Sequence, residues 1–350
     1  SGLTENASMK IIDPDTGVFE LVDRETGVRW TSNPLADRLG FARLTRNDET
    51  RTIVIDGFES HSKDGNVLRL GTPIDFQGSH TGLELELSIR PVSTAPTGLR
   101  FRWEVEGEED SDWALESVKL LDHAFGSTEA DDGYGLMPYR MGELLAADEG
   151  LPQNRSLMTY NDISMALYGA VKQDSALLVA WDHAEVRLQA HRTWQDHSNL
   201  PGRRMVSMSL SLQDGAKEFT VHPLGKGDYV DIAHAYRPIA RRHGWLKTWA
   251  EKRKDFPSVD RMFGAADFKP FVFTHTVPSS RWNKSGEEEF NVNYTFEEAA
   301  KVAEHLHNKL KIDRAMYVLA GWIHRGYDNQ HPDILPAAPE CGGNEGLQDC

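Results

Sequence analysis

Between residues 11 and about 225 the chain alternates. Leu83-Glu-Leu-Glu-Leu-Ser-Ile89 and Leu99-Arg-Phe-Arg-Trp-Glu-Val105 set an apolar side chain at every second position. Only a β-strand turns that period into one dry face and one wet face. Further short runs continue the pattern: Thr52-Ile-Val-Ile55, Val118-Lys-Leu-Leu121, Met165-Ala-Leu-Tyr168, Ala176-Leu-Leu-Val-Ala-Trp181, Val186-Arg-Leu188 and Met205-Val-Ser-Met-Ser-Leu-Ser-Leu212. So many strands at short spacing predict a large antiparallel β-sandwich. Its opening repeats one turn signature ten residues apart, Asp13-Pro-Asp-Thr-Gly17 and Asp23-Arg-Glu-Thr-Gly27. Glycine supplies a positive φ and the Asp and Thr side chains close the turn, so this stretch reads as a hairpin meander.

The texture changes near Gly227. Asp228 is placed to cap a helix through Tyr236. Pro238 is expected to kink that helix or divide it. Trp245 to Lys254 continues helically, and Pro257 stops it. With no Gly/Ser run, residues 228–260 read as a linker of packed helices. From Phe271-Val-Phe-Thr274 the pattern is α/β. This short apolar run suits a parallel strand buried on both faces. A polar loop, His275 to Asn293, leads to a helix capped by Thr295, with Glu297 and Glu298 in its first turn. Ala299, Val302, Ala303, Leu306 and Leu310 share one helical face, and Ala315 to Ala320 forms the next buried strand. Strand, helix, strand and polar loop is how a (β/α)8 barrel begins, and such barrels carry their chemistry on loops at strand C-termini. The expected parts are therefore a sandwich at 1–227, a helical linker at 228–260, and the N-terminal part of a barrel at 261–350. A barrel takes about 250 residues. An isolated strand–helix–strand would expose unpaired edges, so a longer polypeptide is expected.

Composition narrows the function. The chain is 39% hydrophobic and 26% charged, and its formal charge is 38 − 54 = −16. An acidic surface argues against nucleic acid and anionic membranes as partners. No apolar run approaches a membrane-spanning length, and Ser1-Gly2-Leu3 is no signal peptide. The compartment stays open: cytoplasmic, or exported after loss of a signal. Two cysteines, Cys341 and Cys350, exclude a disulfide framework and read as free thiols. No P-loop, GxGxxG or GxSxG pattern occurs, and no cofactor is expected.

The strongest functional signal is the loop from Trp322 to Asp333. A sugar site needs groups that share hydrogen bonds with paired hydroxyls, and an aromatic wall for the apolar ring face. Trp322, Tyr327, Asp328, Asn329, His331 and Asp333 supply both within twelve positions. Long loops of this kind are uncommon unless functional. His275, where the first barrel strand would meet the active face, joins Trp322, Asp328, His331 and Asp333 as a candidate substrate contact. A metal reading of His324, Asp328, His331 and Asp333 matches no zinc spacing, and HExxH is absent, so no metal is expected. Glu287-Glu-Glu289 reads as a solvated charge run.

Asp-x-x-Thr-Gly-Val-Phe-x-Leu-x-Asp-x-x-Thr-Gly-x-x-Trp at 13–30 resembles the start of a galactose-mutarotase-like sandwich, which precedes the barrel in several glycoside hydrolases. Gly-Trp-x-x-x-Gly-Tyr-Asp-x-x-His-Pro-Asp at 321–333, with Pro-x-x-Pro-Glu-Cys-Gly-Gly at 336–343, resembles the second strand and loop of a glycoside-hydrolase-like group. That group is similar to the α-N-acetylgalactosaminidase and endo-α-N-acetylgalactosaminidase families. The resemblance implies a bacterial-type enzyme that hydrolyses an α-linked hexosaminide or hexoside. It implies a carboxylate pair on later barrel strands, and that Asp328, His331 and Asp333 line the sugar-binding end. No residue of this chain matches the nucleophile or the acid, which are expected beyond residue 350. Two rivals stay open. One is a non-catalytic carbohydrate-binding protein. The other is a lyase or epimerase acting on the sandwich, for which His183, His191 and His197 are candidates. Sugar identity, stereochemical course and oligomeric state are not legible.

Overall fold

The computed structural model describes residues 7–350 except 12, 14, 214, 328 and 330, with the side chains of 7–11 left aside. It divides into two compact units, Ser1–Leu246 and Lys247–Cys350.

The first unit is built from antiparallel sheets. A six-stranded sheet runs in the order Gln153–Met158, Val186–Trp194, Arg204–Gln213, Ala114–Thr128, Gly40–Arg46, Glu49–Ile55. A nine-stranded sheet runs Glu143–Ala146, Tyr134–Met137, Leu167–Lys172, Ser175–Ala180, Glu218–Lys226, Gly98–Glu106, Glu84–Val92, Val67–Pro73, Ser60–Asp64. One apolar cluster draws on both, with Leu188 and Leu210 from the first and Leu87, Trp103 and Phe219 from the second. Its centre is a run of rings: Phe19 stacks on Phe101 at 5.0 Å, and Phe101 on Phe219 at 4.9 Å. This is the sandwich that the alternation predicts.

The paired turns form as expected. Asp13 O accepts from Gly17 N, and Thr16 Oγ1 accepts from Val18 N. The second turn repeats these bonds, Gly27 N to Asp23 O and Val28 N to Thr26 Oγ1. Gly17 and Gly27 sit at φ 69° and 74°, where a side chain would be strained. Asp23 does more than close a turn. It is fully buried, and its Oδ2 accepts from Gly225 N at 2.8 Å.

Helix α1 (Tyr229–Arg242) is capped by Asp228, whose side chain accepts from Val230 N and Asp231 N. Ile232, Tyr236, Ile239 and Ala240 pack on Leu167, Val171, Leu178 and Ala180. This explains why every residue of Ser175–Ala180 is buried: the sandwich core covers one face of the strand and α1 the other. The compact unit thus runs to Leu246, where the sequence reading set its boundary at 227. Pro238 lies inside one helix and does not divide it. One helix expectation is corrected. Helix α2 (Trp249–Asp255) begins later than Trp245. Gly244, at φ 73°, ends α1's segment, and Thr248 opens α2 with a capping box to Glu251.

In the second unit, strand Ala266–Phe268 pairs in parallel with Ala315–Tyr317. Ladder-like bonds extend the pairing: Ala266 N to Arg314 O, Val318 N to Phe268 O, Ala320 N to Pro270 O and Val272 N to Ala320 O, all at 2.8–3.0 Å. Helix α3 (Phe296–Asn308) connects the two, with Thr295 and Glu298 as its capping box. Among the described residues no closed barrel forms. The expected parallel strand at Phe271–Thr274 is displaced. Pairing begins at Ala266, and Phe273–Thr276 turns into an antiparallel hairpin with Glu289–Val292. The apolar letters at 271–273 mark burial of Val272 and Phe273 in a small cluster with Phe296, Ala299, Ala337, Ala338 and Cys341. Strand Ala315–Tyr317, expected to be buried, is largely exposed, as are Val302 on α3 and Leu310 just beyond its end. Helix α4 (Gly343–Asp349) follows. Both cysteines are free, and burial pushes the Cys341 thiol up to about 11.

Candidate functional site

The parallel pair brings two strand ends together, and each opens into polar chain. Past Val272 comes the hairpin; past Ala320 comes the loop that the sequence singled out. The loop returns to the hairpin through Tyr327 N to Phe273 O at 3.2 Å and Asn329 Nδ2 to His275 O at 3.1 Å. Gly321 is required here. It holds φ 79°, and a Cβ would lie 2.1 Å from Phe273 O.

His275 is the best-defined side chain at this end. It is 7% exposed. Its ring lies parallel to Phe290 at 4.4 Å, and its Nε2 lies 3.1 Å from Glu288 Oε1. A carboxylate only accepts, so Nε2 donates to Glu288, and Nδ1 is the ring nitrogen left over. That Nδ1 is buried and has no hydrogen-bond partner among the described residues. Leaving such a group unmade costs about 1–3 kcal/mol, and a ligand hydroxyl would satisfy it. The sequence reading treated Glu287–Glu289 as solvated. Glu287 and Glu288 are exposed, as expected, yet Glu288 also pairs with His275, while Glu289 accepts from Ser285 N and Thr276 Oγ1. The hydrogen bonds from Ser285 hold the Glu289 carboxyl below the usual range. The signal was present: Glu289-Phe-Asn-Val292 alternates and mirrors Phe273–Thr276.

The predicted contacts fall unevenly. Trp322 is half-buried against the small cluster, and its carbonyl accepts from Ala338 N, so much of its ring serves packing. His331 and Asp333 are exposed in the loop. Asp328 lies outside the described residues. Accessible aromatic faces come from Tyr327 and from Phe271, which the sequence did not single out. Phe271 meets Tyr327 edge-on at 5.1 Å, with Lys269 Nζ within 5.4 Å of both rings. Among the described residues, no three His, Cys, Asp or Glu side chains converge as a metal site.

The sandwich histidines do not meet. His183 precedes strand Val186–Trp194 and His197 follows it, so the strand separates them by on the order of 30 Å. His191 does form a cluster, with a partner the sequence reading did not name. Its ring stacks on His123 at 4.1 Å, and its Nε2 lies 2.8 Å from Ser209 Oγ. Burial, with the neighbouring His123, depresses its pKa to about 3. His123 sits at φ 52° in a strand whose register with Arg204–Gln213 shifts repeatedly.

No protein-family model matches the chain, and no curated protein matches it. Solved structures do. An α-N-acetylgalactosaminidase, NagBb from Bifidobacterium bifidum, superposes over 99% of this chain in its GalNAc complex, at TM-score 0.78 and 18% identity. Its Gal-NHAc-DNJ complex gives 0.78 at 19%, and its ligand-free form 0.75 at 17%. The likeness is one of fold. This chain spans 55–56% of the length of those structures. No helix among the described residues is long and apolar enough to cross a membrane.

Proposed function

We propose that this chain belongs to a glycoside hydrolase acting on an α-linked hexosaminide or hexoside. In this reading residues 266–320 are the opening strand–helix–strand unit of a (β/α)8 barrel. The strand ends carrying His275 and the 321–333 loop hold the sugar. The largely exposed parallel pair supports it, because parallel strands are normally covered on both faces. The observation that carries the proposal is His275: buried, oriented by Glu288, and presenting an unsatisfied ring nitrogen beside a loop rich in Asp, Asn and His. Solved structures of similar fold include one with GalNAc bound, which agrees with a sugar ligand.

The reaction then needs two carboxylates, one protonating the leaving oxygen and one attacking carbon or activating water. Neither is assigned to a residue here; in this reading both stand on later barrel strands. The residues in hand position the sugar, which can lower a barrier by several kcal/mol. Asp333→Ala tests the assignment. Loss of a charged hydrogen bond of about 1.5–3 kcal/mol predicts roughly ten- to hundredfold weaker sugar binding or turnover, with the sandwich intact by circular dichroism. Unchanged kinetics with an aryl α-N-acetylgalactosaminide would remove the site.

A further inference from the structure

A groove of about 680 Å³ lies in the first unit, between the exposed side of α1 and the loops at one end of the sandwich. Its volume falls in the range of small-molecule sites. Three features distinguish it from an ordinary surface furrow.

The first is its aromatic rim. Tyr160 is 69% exposed and Trp245 49% exposed. Large rings left this open in a loop and at a helix end are not core residues, and Trp245 is held in place by stacking on His243 at 4.4 Å.

The second is its rigidity. Thr159 N and Oγ1 both donate to Val186 O, and Trp181 Nε1 donates to Thr159 Oγ1. Asp162 Oδ2 accepts from Met158 N, Ser164 Oγ donates to Pro138 O, and the Tyr236 hydroxyl accepts from Ala166 N. The walls are therefore set before a ligand arrives, which reduces the ordering cost of binding.

The third is its charge and floor. Asp182 and Arg237 line the groove, and neither forms an ion pair among the described residues. One negative and one positive group cancel, which disfavours a net-charged ligand and suits one rich in hydroxyls. Ala233 and Ala240 face the groove along with Tyr236 and Arg237, spaced as one stripe of α1. These small side chains keep the space open.

Exposed aromatic faces, one carboxylate and one guanidinium around an open floor are what a pyranose needs. Its C–H face lies on a ring, and its vicinal hydroxyls share hydrogen bonds with the charged groups. We infer that this groove is a second saccharide-binding site, for a neutral sugar, carried by the sandwich unit. It stands apart from the reading of His275 and does not depend on it.

The test is saturation-transfer NMR and calorimetric titration of the full chain with free N-acetylgalactosamine and with maltotriose. At least one sugar binds. Tyr160→Ala and Trp245→Ala each weaken that binding tenfold or more. In a His275→Ala background, which removes the other proposed sugar contact, binding persists, and there Ala233→Phe, which removes nothing and fills the floor, abolishes it. Tyr160, Ala233 and Trp245 are exposed, so these variants keep the circular dichroism of the parent. Absence of binding by both sugars overturns the inference. So does binding that survives Ala233→Phe in the His275→Ala background, or that is lost in His275→Ala alone; the last result would point to the 266–333 site alone.

Discussion

Asp23 shows how much one carboxylate can organise. Its Oδ1 accepts from Glu25 N and Thr26 N, and its Oδ2 from Gly225 N and Ser175 Oγ. A buried carboxylate is tolerated only when its oxygens are occupied in this way. Asp23→Ala strands several buried donors and is expected to cost about 3–5 kcal/mol in urea unfolding. Asp23→Asn, which keeps one acceptor, should cost less. His191 makes a second prediction at this scale. Its folded pKa is near 3, below the unfolded value of about 6.5. A depressed histidine releases its proton on folding, so its contribution is full above pH 6.5 and lost as pH falls towards 3. His191→Gln should therefore flatten the stability–pH curve between those values by up to about 1.4 kcal/mol per pH unit. A variant as acid-sensitive as the parent would mean that His191 is not the titrating group.

At the scale of elements, the legible parts were those whose chemistry is local. The two D-x-x-T-G turns, the caps Asp228 and Thr295, and the alternating strands each depend on neighbours a few residues away. Strand Ala266–Phe268 was missed because its identity comes from Ala315–Tyr317, far along the chain, and its three letters, Ala-Asp-Phe, are too short and too mixed to mark a strand. The pairing of His275 with Glu288 was missed for a similar reason. A run of three glutamates carries no mark of which one reaches a histidine. The packing of α1 was only partly readable: its cap was visible, but not that Gly169 provides its seat. A Cβ on Gly169 would stand 2.8 Å from Ile232 Cδ1. Ile232→Ala should then cost about 2–4 kcal/mol, and Gly169→Ala about 1–3 through overpacking, both read by thermal or urea melts. Near-neutral results for both would show that the helix is not held there.

For the whole molecule, each apolar cluster among the described residues takes its members from one unit. The sandwich and α1 therefore hold a complete core of their own. Residues 1–246 expressed alone should keep a β-type circular dichroism spectrum and unfold in one cooperative transition. A spectrum of unfolded chain would mean that this core needs the second unit. The sequence identified the sandwich by sheer number of strands. It did not fix the second unit equally well, because two parallel strands and one helix are compatible with many larger assemblies.

The bond from Gly225 N to Asp23 Oδ2 joins residues 202 positions apart. At about 5–20 residues per second, a ribosome takes on the order of 10–40 s to deliver the second after the first. For that interval the opening meander has its turns but not the donor that makes its carboxylate fit to bury. Asp23 must stay in water, and Phe19 and Leu21 beside it cannot close over. The N-terminal strands are thus held open during synthesis until nearly the whole sandwich has left the exit tunnel, and the last strand to arrive completes the burial of one of the first.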